Sequence, residues 1–153
     1  MIDPAVATNE LEIIAVRLIN SFEEGTFHQR IADWCTPDFR WENSGLPTIV
    51  GANGFRELAE RGGIRQYIPI LATMRSFSVD LISIASRGDE TNGVVFTERI
   101  DHHWDGDGRD LMTPHICGVI EVRDGLVTRL ADFYDVACYE QSPAAPDPAH
   151  AFV

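Results

Sequence analysis

The sequence predicts an α+β domain in which N-terminal helices pack in a strongly curved, mixed but mainly antiparallel β-sheet, forming a cone with an interior pocket. Three observations predict it. Apolar residues recur at three- and four-residue intervals near the N-terminus. From Arg75 onward they alternate with a period of two. Asp105-Gly106-Asp107-Gly108 and Asp124-Gly125 separate the alternating segments as hairpin turns would. Helices first and four long antiparallel strands after them give two layers. A long twisted sheet can then fold around the first helix and leave one open mouth.

Residues 9–24 read as an amphipathic helix through Leu11, Ile14, Ala15, Leu18, Ile19 and Phe22. Thr8 or Asn9 can cap it, and Glu24-Gly25 ends it. A shorter helix is expected over 27–35, with Ile31, Trp34 and Cys35 inward, broken by Thr36-Pro37-Asp38. Residues 39–43 form a strand with Phe39, Trp41 and Asn43 on one face, and Ser44-Gly45-Leu46-Pro47 turns the chain. Asn53 is the expected N-cap of a third helix that holds Phe55, Leu58 and Ala59 and stops at Gly62-Gly63. Pro69 makes 64–74 a short helix or an irregular segment. Strands follow over 75–86, with Phe77, Val79, Leu81 and Ser83 on one face, and over 94–104, 110–122 and 126–138. The expected organisation is a single domain over 1–140 and a Pro/Ala-rich tail over 141–153, mobile or draped on the surface.

A chain of 153 residues is long enough for a real core. Its hydrophobic fraction of 44% and charged fraction of 24% are ordinary for a globular protein. The net charge of -12 argues against nucleic acid and anionic membrane surfaces as partners. No apolar run is long enough to span a bilayer, and Met1-Ile2-Asp3-Pro4 does not begin a secretory signal, so a cytoplasmic location is expected. Cys35, Cys117 and Cys138 lack Cys-x-x-Cys spacing, which fits a reducing compartment and argues against a metal site.

The candidate chemistry lies in Thr97-Glu98-Arg99-Ile100-Asp101 and in Asp132. Arg99 and Asp101 share a strand face with Val95, and Asp132 shares one with Leu130 and Tyr134. Inward charges are costly unless paired. The pattern predicts that Asp101, Arg99 and Asp132 meet in one pocket and do acid–base chemistry. The competing reading is a solvated cross-strand ion pair, which is worth little. No cofactor or metal is expected, because His102 and His103 point to opposite faces of their strand. His103 reads as a polar pocket wall, and His115 as a satisfied or surface residue. Cys117, Trp34, Phe39, Trp41 and Phe55 read as core. Gly51-Ala52-Asn53-Gly54 is a helix-start turn, since no Lys-Ser/Thr follows it as in a phosphate loop.

Arg99-Ile100-Asp101, Asp132-Phe133-Tyr134-Asp135 and Trp41-Glu42-Asn43, with Ile116-x-Gly118-Val119 and Asp124-Gly125, resemble the limonene-1,2-epoxide hydrolase family. That family lies within the nuclear-transport-factor-2-like cone folds. The resemblance runs from the first helix to about Glu140. It implies an Asp-Arg-Asp triad that adds water to a small or medium-sized cyclic epoxide in one step, giving a vicinal diol. Asp101 would be the acid, Asp132 the base, Arg99 the bridge, and Asn43 a holder of the water. Trp41 stands where the family has a water-holding tyrosine, and indole offers one donor and no acceptor. The expected pocket walls are Trp41, Ile19, Phe22, His103, Met112, Ile116 and Tyr134, with Met112, Pro114, Ile116 and Gly118 on one face. The polar His103 and Tyr134 point to a substrate with a hydroxyl, a carbonyl or a larger ring system. The resemblance also implies a homodimer through the outer sheet face, where Ile84, Ile100 and Phe133 would lie. Two alternatives keep the cone: an isomerase or cyclase like the ketosteroid isomerase and polyketide cyclase relatives, or a non-catalytic small-ligand binder whose Arg99 anchors a carboxylate.

Overall fold

In the computed structural model, which describes residues 1–152, helix α1 (Glu10–Glu23) lies in the concave face of a six-stranded sheet. Asn9 starts it, its side chain accepting the Glu12 N–H at 3.1 Å. The apolar stripe Leu11, Ile14, Ala15, Leu18 and Ile19 is buried against inward residues Val95, Ile120 and Leu130. Helix α2 (Phe27–Trp34) follows, and Phe27 and Ile31 join the same core. Trp34 is only half-buried, because it sits at the core's edge beneath the guanidinium of Arg17, 4.7 Å from the ring centre.

Strand β1 (Cys35–Asn43) begins earlier than expected, with Pro37 inside it. The proline is tolerated because the ladder with the last strand is irregular between Cys35 and Arg40, where no N–H is required. Strand β2 (Ile49–Val50) leads directly into helix α3 (Gly51–Glu60), and Asn53 is not its N-cap. Gly51 sets the start instead. Its φ is +60°, and a Cβ there would lie 2.6 Å from the Pro37 carbonyl oxygen. Only glycine lets the chain turn this close to β1. Asn53 lies inside the helix and accepts from Arg56. Gly62 and Gly63, both at positive φ, follow the helix. Two 3₁₀ turns, Gly63–Gln66 and Pro69–Thr73, occupy the ambiguous segment.

The remaining strands are β3 (Met74–Gly88), β4 (Gly93–Asp105), β5 (His115–Arg123) and β6 (Leu126–Phe133). The sheet order is β2-β1-β6-β5-β4-β3, antiparallel except where β1 runs parallel to β6. Asp124 at φ 53° and Gly125 at φ 75° close the β5–β6 hairpin with two left-handed residues.

Four strand expectations change. Residues 110–114 are not strand: Pro114 has no N–H to give, and regular pairing with β4 begins at His115. The last strand stops at Phe133, because Asp135 caps a 3₁₀ turn (Val136–Glu140) by accepting the Ala137 N–H at 2.9 Å. In β3 the register slips between Leu81 and Ser83, so Ile84 rather than Ser83 turns inward and joins the core. Ile84 therefore leaves the outer face, where Ile82, Phe96 and Phe133 stay half-exposed. Cys117 is exposed rather than core, since its neighbours Ile116 and Gly118 take the inward positions of β5.

The tail drapes over the β4–β5 connection. Ala144 and Asp147 donate backbone N–H groups to the carbonyls of Asp110 and Gly108 at 2.9 and 2.7 Å, and His150 stacks on Trp104 at 3.8 Å. A second apolar cluster, Ile68, Leu71, Leu111 and Met112, lies apart from the main core. Among the described residues, no helix is long and apolar enough to cross a membrane.

Candidate active site

Strand β4 delivers the site by alternation. Thr97, Arg99, Asp101 and His103 all point inward and are buried. Asp132 comes from β6 and does not neighbour β4 directly; β5 lies between them. Gly118 is the residue that lets the two sides meet. It pairs with Thr97 on one side and Asp132 on the other. A Cβ there would lie 2.4 Å from Arg99 Nη1, 2.5 Å from Thr97 Oγ1 and 3.2 Å from Asp132 Oδ1. The guanidinium occupies the space that any other side chain would fill.

Arg99 Nε donates to Asp101 Oδ1 at 2.9 Å, and Nη2 reaches Asp101 Oδ2 at 3.4 Å. Nη1 donates to Thr97 Oγ1 at 3.2 Å. Nη2 also lies 2.8 Å from Asp132 Oδ1. That contact is a close ion pair, and Asp132 Oδ1 is buried with no other protein donor on it. Arg99, Asp101 and Asp132 are 3%, 6% and 5% exposed, which rules out the solvated ion pair.

Burial pushes the Asp101 carboxyl up from 3.8 to about 6; Arg99 opposes the shift, and the nearby Asp132 charge adds to it. Burial works against the Arg99 charge, but Asp132 and Asp101 outweigh it and raise its pKa above the ordinary value. The cluster thus holds a permanent cation, and one carboxyl titrates well above the usual range.

The cluster forms one wall of a cavity of about 180 Å³. Ile19 and Phe22 of α1, Trp41 and Asn43 of β1, His103, Met112, Pro114, Ile116 and Tyr134 line it, so the expected walls and the charged cluster share this one space. Met112 and Pro114 share the expected face although they lie outside the strand. Asn43 pairs with Asp132 in the β1–β6 ladder, and its Oδ1 lies 3.4 Å from the Tyr134 hydroxyl. Trp41 stacks on Phe55 and Phe22 at 5.4 and 6.1 Å. Its indole N–H is buried without a partner, so Trp41 serves as an apolar wall.

Sequence reasoning missed two polar neighbours. Thr97 follows from the same alternation that names Arg99, and it steadies the guanidinium. Tyr139 sits on the 3₁₀ turn after β6; its hydroxyl meets that of Tyr134 at 2.8 Å and donates to the Ser44 carbonyl. Asp135, as a turn cap, was the signal that the chain doubles back there. Burial raises the pKa of both phenols, keeping them neutral.

Gly118→Ala should displace Arg99 by the overlap just described. A misplacement near 1 Å can cost about 10²-fold in rate. The expected result is a loss of that order in kcat with the melting temperature lowered, checked by steady-state kinetics and thermal denaturation of the variant.

The twisted sheet with α1 in its hollow and a charged cluster at the cavity wall is a nuclear-transport-factor-2-like cone. A protein of that fold from Cytophaga hutchinsonii superposes with a TM-score of 0.58 at 11% identity, covering 88% of this chain and 98% of its own. The chain belongs to the limonene-1,2-epoxide hydrolase family: residues 12–141 match its catalytic domain. An LEH-like epoxide hydrolase from M. tuberculosis is similar in structure, with a TM-score of 0.62 and 24% identity over 86% of each chain. A protein with a ketosteroid isomerase-like fold from Catenulispora acidiphila, in complex with trimethylamine, gives a TM-score of 0.61 at 13% identity over 82% of this chain and 88% of its own. Among curated proteins, none matches the chain.

Proposed function

We propose that the protein is an epoxide hydrolase that adds water to a small cyclic epoxide in one step and releases a vicinal diol. The observation that carries this reading is one guanidinium held between two buried carboxylates at the wall of a mainly apolar cavity. Asp101, with its raised pKa, donates a proton to the oxirane oxygen as the C–O bond breaks. Asp132, whose carboxylate lines the cavity, takes a proton from the attacking water, and the Asn43 carbonyl orients it. Before and after the step the pair holds one proton between its two members, so the proton lost to the oxirane oxygen is regained from water. Arg99 tolerates either location of that proton because it contacts both carboxylates. A cavity of about 180 Å³ lies below the roughly 300–1,000 Å³ of drug-sized sites, which favours a single small ring.

Two readings are weaker. An enolate-stabilising isomerase has no use for a guanidinium locked between carboxylates. A carboxylate anchor needs a free fork, and that of Arg99 is already engaged by Asp101, Asp132 and Thr97. The test is a panel of cyclic epoxides assayed for diol, set beside an absorbance assay with a ketosteroid. Diol formation without ketosteroid isomerisation is expected; isomerisation without diol overturns the reading.

The acid role carries a sign. Asp101 can donate only when protonated, which holds below about pH 6 in the free protein. kcat/KM reports the free enzyme. It should therefore fall as pH rises through 6, about tenfold per unit beyond it. A pH–rate profile that rises between 6 and 8 contradicts Asp101 as the acid.

A further inference from the structure

The reaction as proposed leaves one polar wall of the cavity without a task. His103 lies one pleat beyond Asp101 on β4 and is 8% exposed. Its Nδ1 is 2.8 Å from the Met112 carbonyl. A carbonyl oxygen can only accept, so Nδ1 carries the proton. Burial lowers the pKa of the ring and keeps it neutral, opposing the effect of the Met112 bond. A neutral imidazole protonated on Nδ1 has a bare lone pair on Nε2. Among the described residues, no protein group hydrogen-bonds to that nitrogen; the side chain's one polar contact is the bond to Met112. The Phe77 ring stands edge-on to the imidazole at 5.2 Å and offers it no polar partner. The remaining acceptor therefore belongs to whatever occupies the cavity.

We propose that His103 makes this site selective for cyclic epoxides that carry a hydroxyl, whose O–H it accepts at Nε2. The inference rests on the epoxide-hydrolase reading and narrows it. Two residues along a strand rise about 7 Å, so the hydroxyl is placed roughly that far from the oxirane oxygen held by Asp101. A ring with a hydroxymethyl group opposite the epoxide has this span. A carbonyl at the same position would set lone pair against lone pair, which removes the ketone as an equivalent. The other walls near this end, Phe77, Met112 and Pro114, are apolar and cannot by themselves reject an isostere with one more hydroxyl. A dedicated acceptor, by contrast, disfavours the analogue that leaves it unpaired.

The probes are 4-(hydroxymethyl)-1,2-epoxycyclohexane and its isostere 4-ethyl-1,2-epoxycyclohexane. The wild-type protein should favour the hydroxymethyl compound in kcat/KM by roughly tenfold. His103→Leu should abolish or reverse that preference, while His103→Gln, which keeps an acceptor, should retain part of it. A purely packing role for His103 would change both substrates alike. Equal kcat/KM for the two compounds in the wild type, or a preference that survives His103→Leu, overturns the proposal. Turnover of neither compound counts against the epoxide reading, and the selectivity is then read from binding. The ring alcohol 4-ethylcyclohexanemethanol and its isostere 1,4-diethylcyclohexane are compared by thermal shift. A larger shift with the alcohol in the wild type, lost in His103→Leu, supports the proposal; equal shifts, or none, overturn it.

Discussion

Asp132→Asn should reduce epoxide turnover by at least about 10³-fold while leaving the fold in place. General-base catalysis is typically worth about 10²–10⁴-fold. Asparagine keeps the shape and one carbonyl acceptor but cannot take a proton from water. Arg99 would keep its two bonds to Asp101, at 2.9 and 3.4 Å, so no charge is left unpaired. The melting temperature should therefore stay close to that of the wild type. Asp101→Asn should be nearly as damaging, because the oxirane oxygen then lacks its acid. The two losses should not add, since each group is useful only when the other is present. Kinetics on the single and double variants, with thermal melts alongside, check all four statements.

Arg99→Met should be the most destabilising single change at the site. It leaves Asp101 and Asp132, both almost sealed from solvent, facing each other without a cation. Removing one partner of a buried ion pair typically costs about 3–5 kcal/mol. The loss should depend on pH. Protonation relieves two facing carboxylates, so the gap to wild type should be wide at pH 8 and narrow near pH 4.5. The wild type carries a milder form of the same effect. The folded pKa of Asp101, about 6, lies above its ordinary 3.8, so its contribution to stability is full below about 4 and is lost as pH rises through 6. Asp101→Asn should flatten that decline. Arg99→Met melts that run parallel to wild type from pH 4.5 to 8 would contradict the electrostatic account.

The part of the site carried by alternation is legible in the sequence. Val95, Thr97, Arg99, Asp101 and His103 all follow one period of two, and nothing interrupts it on β4. Gly118 was legible as a residue of the pocket face, but its pairing with both Thr97 and Asp132 depends on strand order across the sheet. What failed to show in the sequence was set by tertiary contact. The slip near Ile82 in β3 has no composition signal and exchanges Ser83 for Ile84 on the inner face. Asn53 is a good cap by propensity, but the helix starts at Gly51, three residues earlier than that cap implies, because the chain must pass close to Pro37. Pro114 lies inside the expected strand 110–122, but it has no N–H for the ladder, and pairing with β4 begins only at His115. The face assignment survived because Met112 and Pro114 line the cavity without ladder bonds. Tyr139 lay beyond what periodicity can reach, since it joins Tyr134 only through the turn that Asp135 caps.

The central claim is that water, positioned by Asp132 and Asn43, opens the ring directly, with no bond formed to the protein. A single-turnover reaction in H₂¹⁸O, with protein in excess over a cyclic epoxide, tests it most directly. The account predicts a first-turnover diol carrying one ¹⁸O and a protein that remains unlabelled by mass spectrometry. A first-turnover diol containing only ¹⁶O, with ¹⁸O appearing in the carboxylate of Asp101 or Asp132, would contradict it.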